Sequence, residues 1–198
     1  MGLDLQLIDG QTPLSEEEAE GLLVPGITTR QELDEFEQLN IERAIKWTLV
    51  KKISHEQMLT EGFVKLVHRK MYEEVWKWAG EFRKSDKNIG VPWTQVSVQL
   101  KSLLDDCRYW IENKTYNADE IAVRFKHKIV QIHCFSNGNG RHSRLMGDLI
   151  VTNVFKSEPF SWGGNNLVKD GDERSVYIKA VKAADNGNIM PLLKFSRK

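Results

Sequence analysis

The chain has 198 residues, 40% hydrophobic and 28% charged, with 28 Lys plus Arg against 28 Asp plus Glu. That is enough apolar material for one folded unit, and a net charge of zero excludes a global pull toward nucleic acid or an acidic membrane. Two cysteines, Cys107 and Cys134, are too few for a disulfide framework and fit no zinc spacing. No apolar run reaches membrane-spanning length, and residues 1–10 lack a basic stretch followed by an apolar one. With free thiols, the expected location is the cytoplasm.

Ser15 with Glu18 reads as a capping box for a short helix that Pro25 and Gly26 end. Thr29 with Glu32 opens a longer helix reaching about residue 50, and residues 56–78 predict one or two more. Residues 80–97 break this pattern. Gly80, Gly90, Pro92 and the extended run from Gln95 to Val98 predict a loop or a small β-hairpin, with a helix over about 99–113 after it. Asn117 with Glu120 starts the next helix, whose stripe of Ala118, Ile121, Ala122, Phe125, Ile129 and Ile132 ends at His133. Another begins at Asn139 or Gly140 and carries Leu145, Met146, Leu149, Ile150 and Val154. Gly163 and Gly164 mark a loop, and helices over about 173–184 and 190–195 finish the chain. The fold class is mainly α.

The segment from His133 to Arg144 carries the chemistry. A buried helix delivers His133 to its end. Gly138 and Gly140 permit left-handed backbone and close approach of a ligand. The following helix turns its unpaired N–H groups and dipole toward the loop, which makes an anion site. Arg141 and Arg144 are three residues apart and share a helix face, where guanidinium groups suit phosphate oxygens. A base, a backbone cradle and two cationic clamps within twelve residues fit phosphate or nucleotide chemistry. A glycine-rich turn with solvated arginines would explain any one part, but not all of them at this spacing.

The stretch resembles the signature of the Fic (Fido) family, HxFx(D/E)GNGRxxR, matched by His133, Phe135, Gly138, Asn139, Gly140, Arg141 and Arg144. Trp78-Ala79-Gly80 with Phe82-Arg83 resembles the segment leading into that family's flap. The likeness spans roughly residues 56–195. The segments before and after the signature resemble the bacterial branch called mobile mystery protein B. The resemblance implies a Fic-type helical bundle with a β-hairpin flap. It implies N-terminal helices over 1–50, with an inhibitory candidate among them, and a catalytic domain over 51–198, forming one compact unit. The implied activity is protein adenylyltransferase (AMPylation). His133 takes the proton from a Ser, Thr or Tyr hydroxyl of a target protein, and that hydroxyl attacks the α-phosphorus of ATP. Gly138, Asn139 and Gly140 hold the phosphates, Arg141 clamps the β-phosphate and Arg144 the γ-phosphate. Phe135 anchors the loop by packing.

Cys134 stands where the family usually has proline, and Asn137 where it has Asp or Glu to hold Mg²⁺. An amide oxygen ligates magnesium without charge, so the ion rests more on phosphates and water. Two other readings stay open. One is another Fic-type transfer, of UMP, phosphate or phosphocholine. The other is a catalytically weak, nucleotide-binding regulator acting through a partner. Residues 84–98 would dock the target protein by strand-like pairing. The branch likeness implies an antitoxin-like or small helix-turn-helix partner; neither membrane nor direct nucleic-acid binding is expected. Many members also carry an inhibitory helix, (S/T)xxxE(G/N), whose glutamate pairs with the second signature arginine, here Arg144. Glu20, followed by Gly21, matches more letters and ranks first. Glu37 ranks second; it falls with Asn40 inside the apolar stripe of Leu33, Phe36, Ala44 and Trp47, where a carboxylate needs a partner. His142 is expected on the helix surface or packed locally, and His55, His68 and His127 as structural or exposed.

Overall fold

A computed structural model describes residues 13–51, 53–164 and 171–198. The beginning of the N-terminal segment expected over 1–50 therefore lies outside the described residues. The described helices are α1 (Glu16–Ala19), α2 (Arg30–Val50), α3 (His55–Met58), α4 (Glu61–Tyr72), α5 (Val96–Glu112), α6 (Ala118–Ile132), α7 (Asn139–Leu149), α8 (Asp172–Asp185) and α9 (Met190–Ser196). A short π-helical turn, Ile150–Val154, continues α7.

Local chemistry sets the boundaries. Ser15 and Thr29 each accept the N–H of the glutamate three residues on, and that glutamate reaches back, so both predicted capping boxes form. Asn117 accepts the Glu120 N–H at 2.9 Å and starts α6. An N-cap of this type contributes about 1 kcal/mol. α6 stops at His133, whose backbone turns left-handed at φ 59°.

α6 is the central helix, with Ile121, Ala122, Phe125 and Ile129 buried. It packs against α5 on one side and α7 on another, and α9 also meets it. α4 supports α7 from beneath, and α2 lies along α4. This second packing brings the N-terminal helix to the signature loop. Among the described residues, no helix is long and apolar enough to cross a membrane.

The β-hairpin expected between residues 80 and 98 does not form. Gln95 closes a 3₁₀ turn (Trp93–Gln95), and Val96 already begins α5, since Val96, Leu100, Leu103, Leu104 and Cys107 bury one helical face. The loop before it has no strand partner because its polar groups are satisfied elsewhere. Arg83 Nε donates to the His133 carbonyl at 2.6 Å, Nη1 to the Ser85 carbonyl at 2.8 Å, and Nη2 to the Val91 carbonyl. The Arg83 and Val91 N–H groups donate to Cys134 and Ile132 carbonyls. One buried guanidinium and the end of α6 thus do what a cross-strand ladder would do.

Candidate functional site

The loop joining α6 to α7 forms one wall of a cleft of about 270 Å³, also lined by residues of α2 and α8. His133, Asn137, Gly138, Asn139, Gly140, Arg141 and Arg144 all reach it, so the predicted signature residues are brought together. Glu20 does not join them: it is exposed at the end of α1 and borders a separate depression with Trp78 and Ser136. The part of α1 that approaches the signature is Glu18, which pairs with Lys87 of the 83–91 loop and hydrogen bonds toward Ser136.

Glu37 is 2% exposed and sits at the signature. Its Oε2 accepts from Arg141 Nη2 at 2.5 Å and its Oε1 from Trp76 Nε1 at 2.6 Å. It faces the first signature arginine, not the second as the resemblance implies for an inhibitory glutamate. Burial would lower the Arg141 pKa, but the Glu37 carboxylate more than offsets this and holds the guanidinium charged. Neighbouring Asn40 ties α2 to α4, donating to the Lys70 carbonyl and accepting the Glu74 N–H.

The loop is held from below. Asn139 turns its amide inward, accepting the Phe135 N–H at 2.9 Å and donating to the Phe135 carbonyl at 2.7 Å. Its side chain is therefore spent on loop shape, and its backbone is what faces a ligand. Phe135 is buried and stacks on His68 with ring centres 3.7 Å apart. The Gly80 N–H donates to His68 Nδ1, so Nε2 carries the proton and donates to the Asn137 carbonyl at 3.1 Å. Burial pushes the His68 pKa well down and keeps the ring neutral. His142 is also buried rather than on the surface, with Nε2 3.0 Å from the Val64 carbonyl. Sequence reasoning missed His68 as a loop support; its partners lie 12 and 69 residues away, beyond any local pattern.

Gly138 caps α7 with φ 76°, and no side chain caps the helix there, leaving its first N–H groups to the cleft. A Cβ at this position would come within 2.5 Å of the Tyr72 ring. Gly138→Ala is expected to cost about 1–3 kcal/mol in backbone strain alone; thermal unfolding checks it. Gly140, by contrast, is helical, and only Arg144 lies within 4 Å of the Cβ it lacks, so its bareness keeps the cleft open.

His133 is 4% exposed. Burial, with Arg83 beside it, pulls its pKa down to about 4, against the upward effect of a backbone hydrogen bond at Val130. The ring is neutral at physiological pH and can take a proton. Gly90, at φ 105°, presses its backbone against His133; a Cβ there would come 2.6 Å from the histidine Cβ. The 83–91 loop thus covers the histidine from above.

A metal finds little to hold it. Among the described residues no cluster of His, Cys, Asp and Glu could bind an ion. Asn137 Oδ1 is neutral and accepts the Gly138 N–H at 2.6 Å. The side chains present do not make a protein-held Mg²⁺ site, which ordinarily has one or two carboxylates.

Fold and site define a helical protein with an uncapped helix N-terminus, two arginines and a buried neutral histidine at one cleft. Comparison with known proteins agrees with this class: residues 58–151 match the Fic/DOC family. A protein adenylyltransferase Fic from Aedes aegypti is 24% identical over 168 residues, 82% of this chain and 32% of that protein. One from Drosophila grimshawi is 27% identical over 119 residues, 59% of this chain and 23% of that protein. The chain thus spans about a third or less of the length of these relatives. Among solved structures, Fic-1 (residues 134–508) from C. elegans superposes with a TM-score of 0.68 at 21% identity, covering 90% of this chain and 51% of that one. The BepC effector from Bartonella tribocorum, solved with AMPPNP, gives 0.68 at 16% identity over 92% and 97%. These likenesses show the fold.

Proposed function

We propose that the protein is an adenylyltransferase that moves AMP from ATP to a Ser, Thr or Tyr hydroxyl of a target protein, with residues 51–198 as the catalytic unit. The observation that carries this reading is the meeting of neutral His133, the uncapped N-terminus of α7, Arg141 and Arg144 in one cleft. The names of the similar Fic proteins support it. His133 accepts the proton of the attacking hydroxyl. The amides of residues 138–140 receive phosphate oxygens, the Gly138 N–H exchanging its bond to Asn137 Oδ1 for one to phosphate; Arg141 receives the β-phosphate and Arg144 the γ-phosphate, and positioning plus charge stabilisation supply the catalysis. The target docks along residues 84–98 as an extended segment, meeting a loop that runs into the first turn of α5.

Incubating a cell lysate with the protein and ATP labelled at either the α- or the γ-phosphorus tests this. Label transferred from the α position alone supports AMP transfer. Transfer from the γ position indicates phosphate transfer, and transfer from neither sinks the reading.

A magnesium ion that accompanies ATP is held by phosphates and water, with Asn137 Oδ1, at the cleft, as a neutral side-chain oxygen offered to it. Asn137→Asp is therefore expected to lower the Mg²⁺ concentration giving half-maximal transfer; an unchanged requirement would place the ion away from residue 137.

The pairing of Glu37 with Arg141 supports an inhibited resting state imposed by α2 from within residues 1–50. We place the chain in the mobile mystery protein B branch, acting in the cytoplasm beside an antitoxin-like or small helix-turn-helix partner. The likeness of the segments flanking the signature is the support for that placement.

A further inference from the structure

Behind the cleft lies a charge that the chemistry above does not use. Lys126, on α6, is fully buried. A buried ammonium usually needs a carboxylate to offset its lost hydration. Among the described residues, Lys126 makes no ion pair and no carboxylate or carbonyl accepts from its Nζ; the polar group it faces is the Tyr177 phenol. The Nζ lies 4.6 Å from the ring centre of Tyr177 and 5.9 Å from that of Trp162. Tyr177, on α8, lines the cleft and is 6% exposed. The Arg144 guanidinium carbon lies 5.6 Å from the same Tyr177 ring centre. One phenol ring is therefore shared by a cation from α6 and the second signature arginine from α7.

We infer that Lys126 is a positioning residue for phosphate recognition: acting through the Tyr177 phenol, it fixes the Arg144 guanidinium at the end of the cleft that takes the terminal phosphates of a nucleotide. The positive charge of Lys126 favours the ionised form of the Tyr177 phenol, whose oxygen accepts from Arg144 more strongly than a neutral hydroxyl does. Its own charge also adds to the positive potential behind Arg144 without reaching the ligand. Arg141 has Glu37 as a carboxylate partner, whereas Arg144 makes no ion pair among the described residues and leans on Tyr177. Burial alone would raise the Tyr177 pKa; the two cations outweigh it and hold the phenol down, to about 8. The other charged or titratable groups around this pair are His127 with Asp185, where α6 meets α8, Asp148 on α7, and Arg174 and Lys182 on α8. The inference rests on the nucleotide reading of the cleft.

Two substitutions test it. Lys126→Met keeps the length and apolar fit of the side chain without its charge, and Tyr177→Phe removes only the hydroxyl. Calorimetry should show ATP affinity falling about tenfold in each, and AMP affinity changing less than about twofold, with the double variant no weaker than either single one. Tyrosinate absorbance gives a readout that packing alone would not move. One tyrosine of the wild type should ionise near pH 8, that step should vanish in Tyr177→Phe, and it should move up in Lys126→Met. An unchanged ratio of ATP to AMP affinity in Lys126→Met overturns the inference, as does a Tyr177 titration indifferent to the loss of Lys126. If Lys126→Met does not fold, the ratio in Tyr177→Phe decides. A wild-type protein that binds no ATP would remove the nucleotide reading and this inference together; wild-type binding with an unmoved ratio would remove the inference alone.

Discussion

Replacing His133 with alanine is expected to slow transfer by about 10²–10⁴-fold while changing ATP affinity by less than about twofold. The split follows from where the ring sits. It lies at the end of α6, beside the N-terminus of α7 rather than in it, so in the proposed reaction it meets the attacking hydroxyl and not the charge of ATP. Label transfer and calorimetry on the same preparation separate the two quantities. A rate within threefold of wild type would mean that another group, or water, takes the proton.

The pH profile sharpens this prediction. Burial lowers the His133 pKa from 6.5 to about 4, so the neutral, proton-accepting form predominates above that value. The acid limb of kcat/KM should therefore lie near pH 4, with no break near 6.5. The linkage has the same sign. Between the unfolded value of 6.5 and the folded value of about 4, the unfolded chain binds a proton that the folded chain refuses. Stability from this group is complete above 6.5 and declines as the pH falls through that window. His142, also lowered to about 4 by burial, adds to the decline. A break near 6.5 in kcat/KM would show a hydrated, ordinary imidazole and contradict the buried geometry.

What the sequence could reveal depended on how far each interaction reaches along the chain. The capping boxes of α1 and α2, the Asn117 cap and the end of α6 at His133 are local, and the spacing of a few residues encodes them. The signature is equally compact, so the cradle and both arginines were legible together. The flap was misread because its outcome depends on Arg83, whose side chain spans residues 85, 91 and 133 in one hydrogen-bond set. Propensity for a hairpin could not anticipate a guanidinium that satisfies the loop first. Glu20 outranked Glu37 on matched letters, yet the packing of α2 along α4 carries Glu37 to Arg141, 104 residues away in sequence. The signal for that was physical rather than textual: a carboxylate inside an apolar stripe. Lys126 stands beside the apolar stripe of α6 rather than in it, so the sequence carried no sign of its burial, and the ring it meets on α8 was out of local reach.

Glu37→Gly should move activity and stability in opposite directions. On the proposed reading, a β-phosphate must displace the Glu37 carboxylate from Arg141. A charge-assisted hydrogen bond of this kind is worth about 1.5–3 kcal/mol, so its loss should raise transfer or auto-modification by about 10- to 150-fold at limiting ATP. The same change strands a partly buried guanidinium and removes the acceptor of Trp76 Nε1. A sealed ion pair broken on one side costs about 3–5 kcal/mol, and the Arg141 side chain, 17% exposed to the cleft, should cost less, about 1–3 kcal/mol. Glu37→Gln separates the contributions, since its amide oxygen can still accept from Trp76 while the charge on Arg141 goes unanswered. It should activate nearly as well as glycine and destabilise less. ATP should then raise the Tm of both variants more than that of the wild type, because the triphosphate supplies the negative charge that position 37 no longer does, and no pair has to be broken to admit it. If neither variant is activated although both bind ATP, the contact between Glu37 and Arg141 serves only to hold α2 in place, and residues 1–50 carry no brake acting through Glu37.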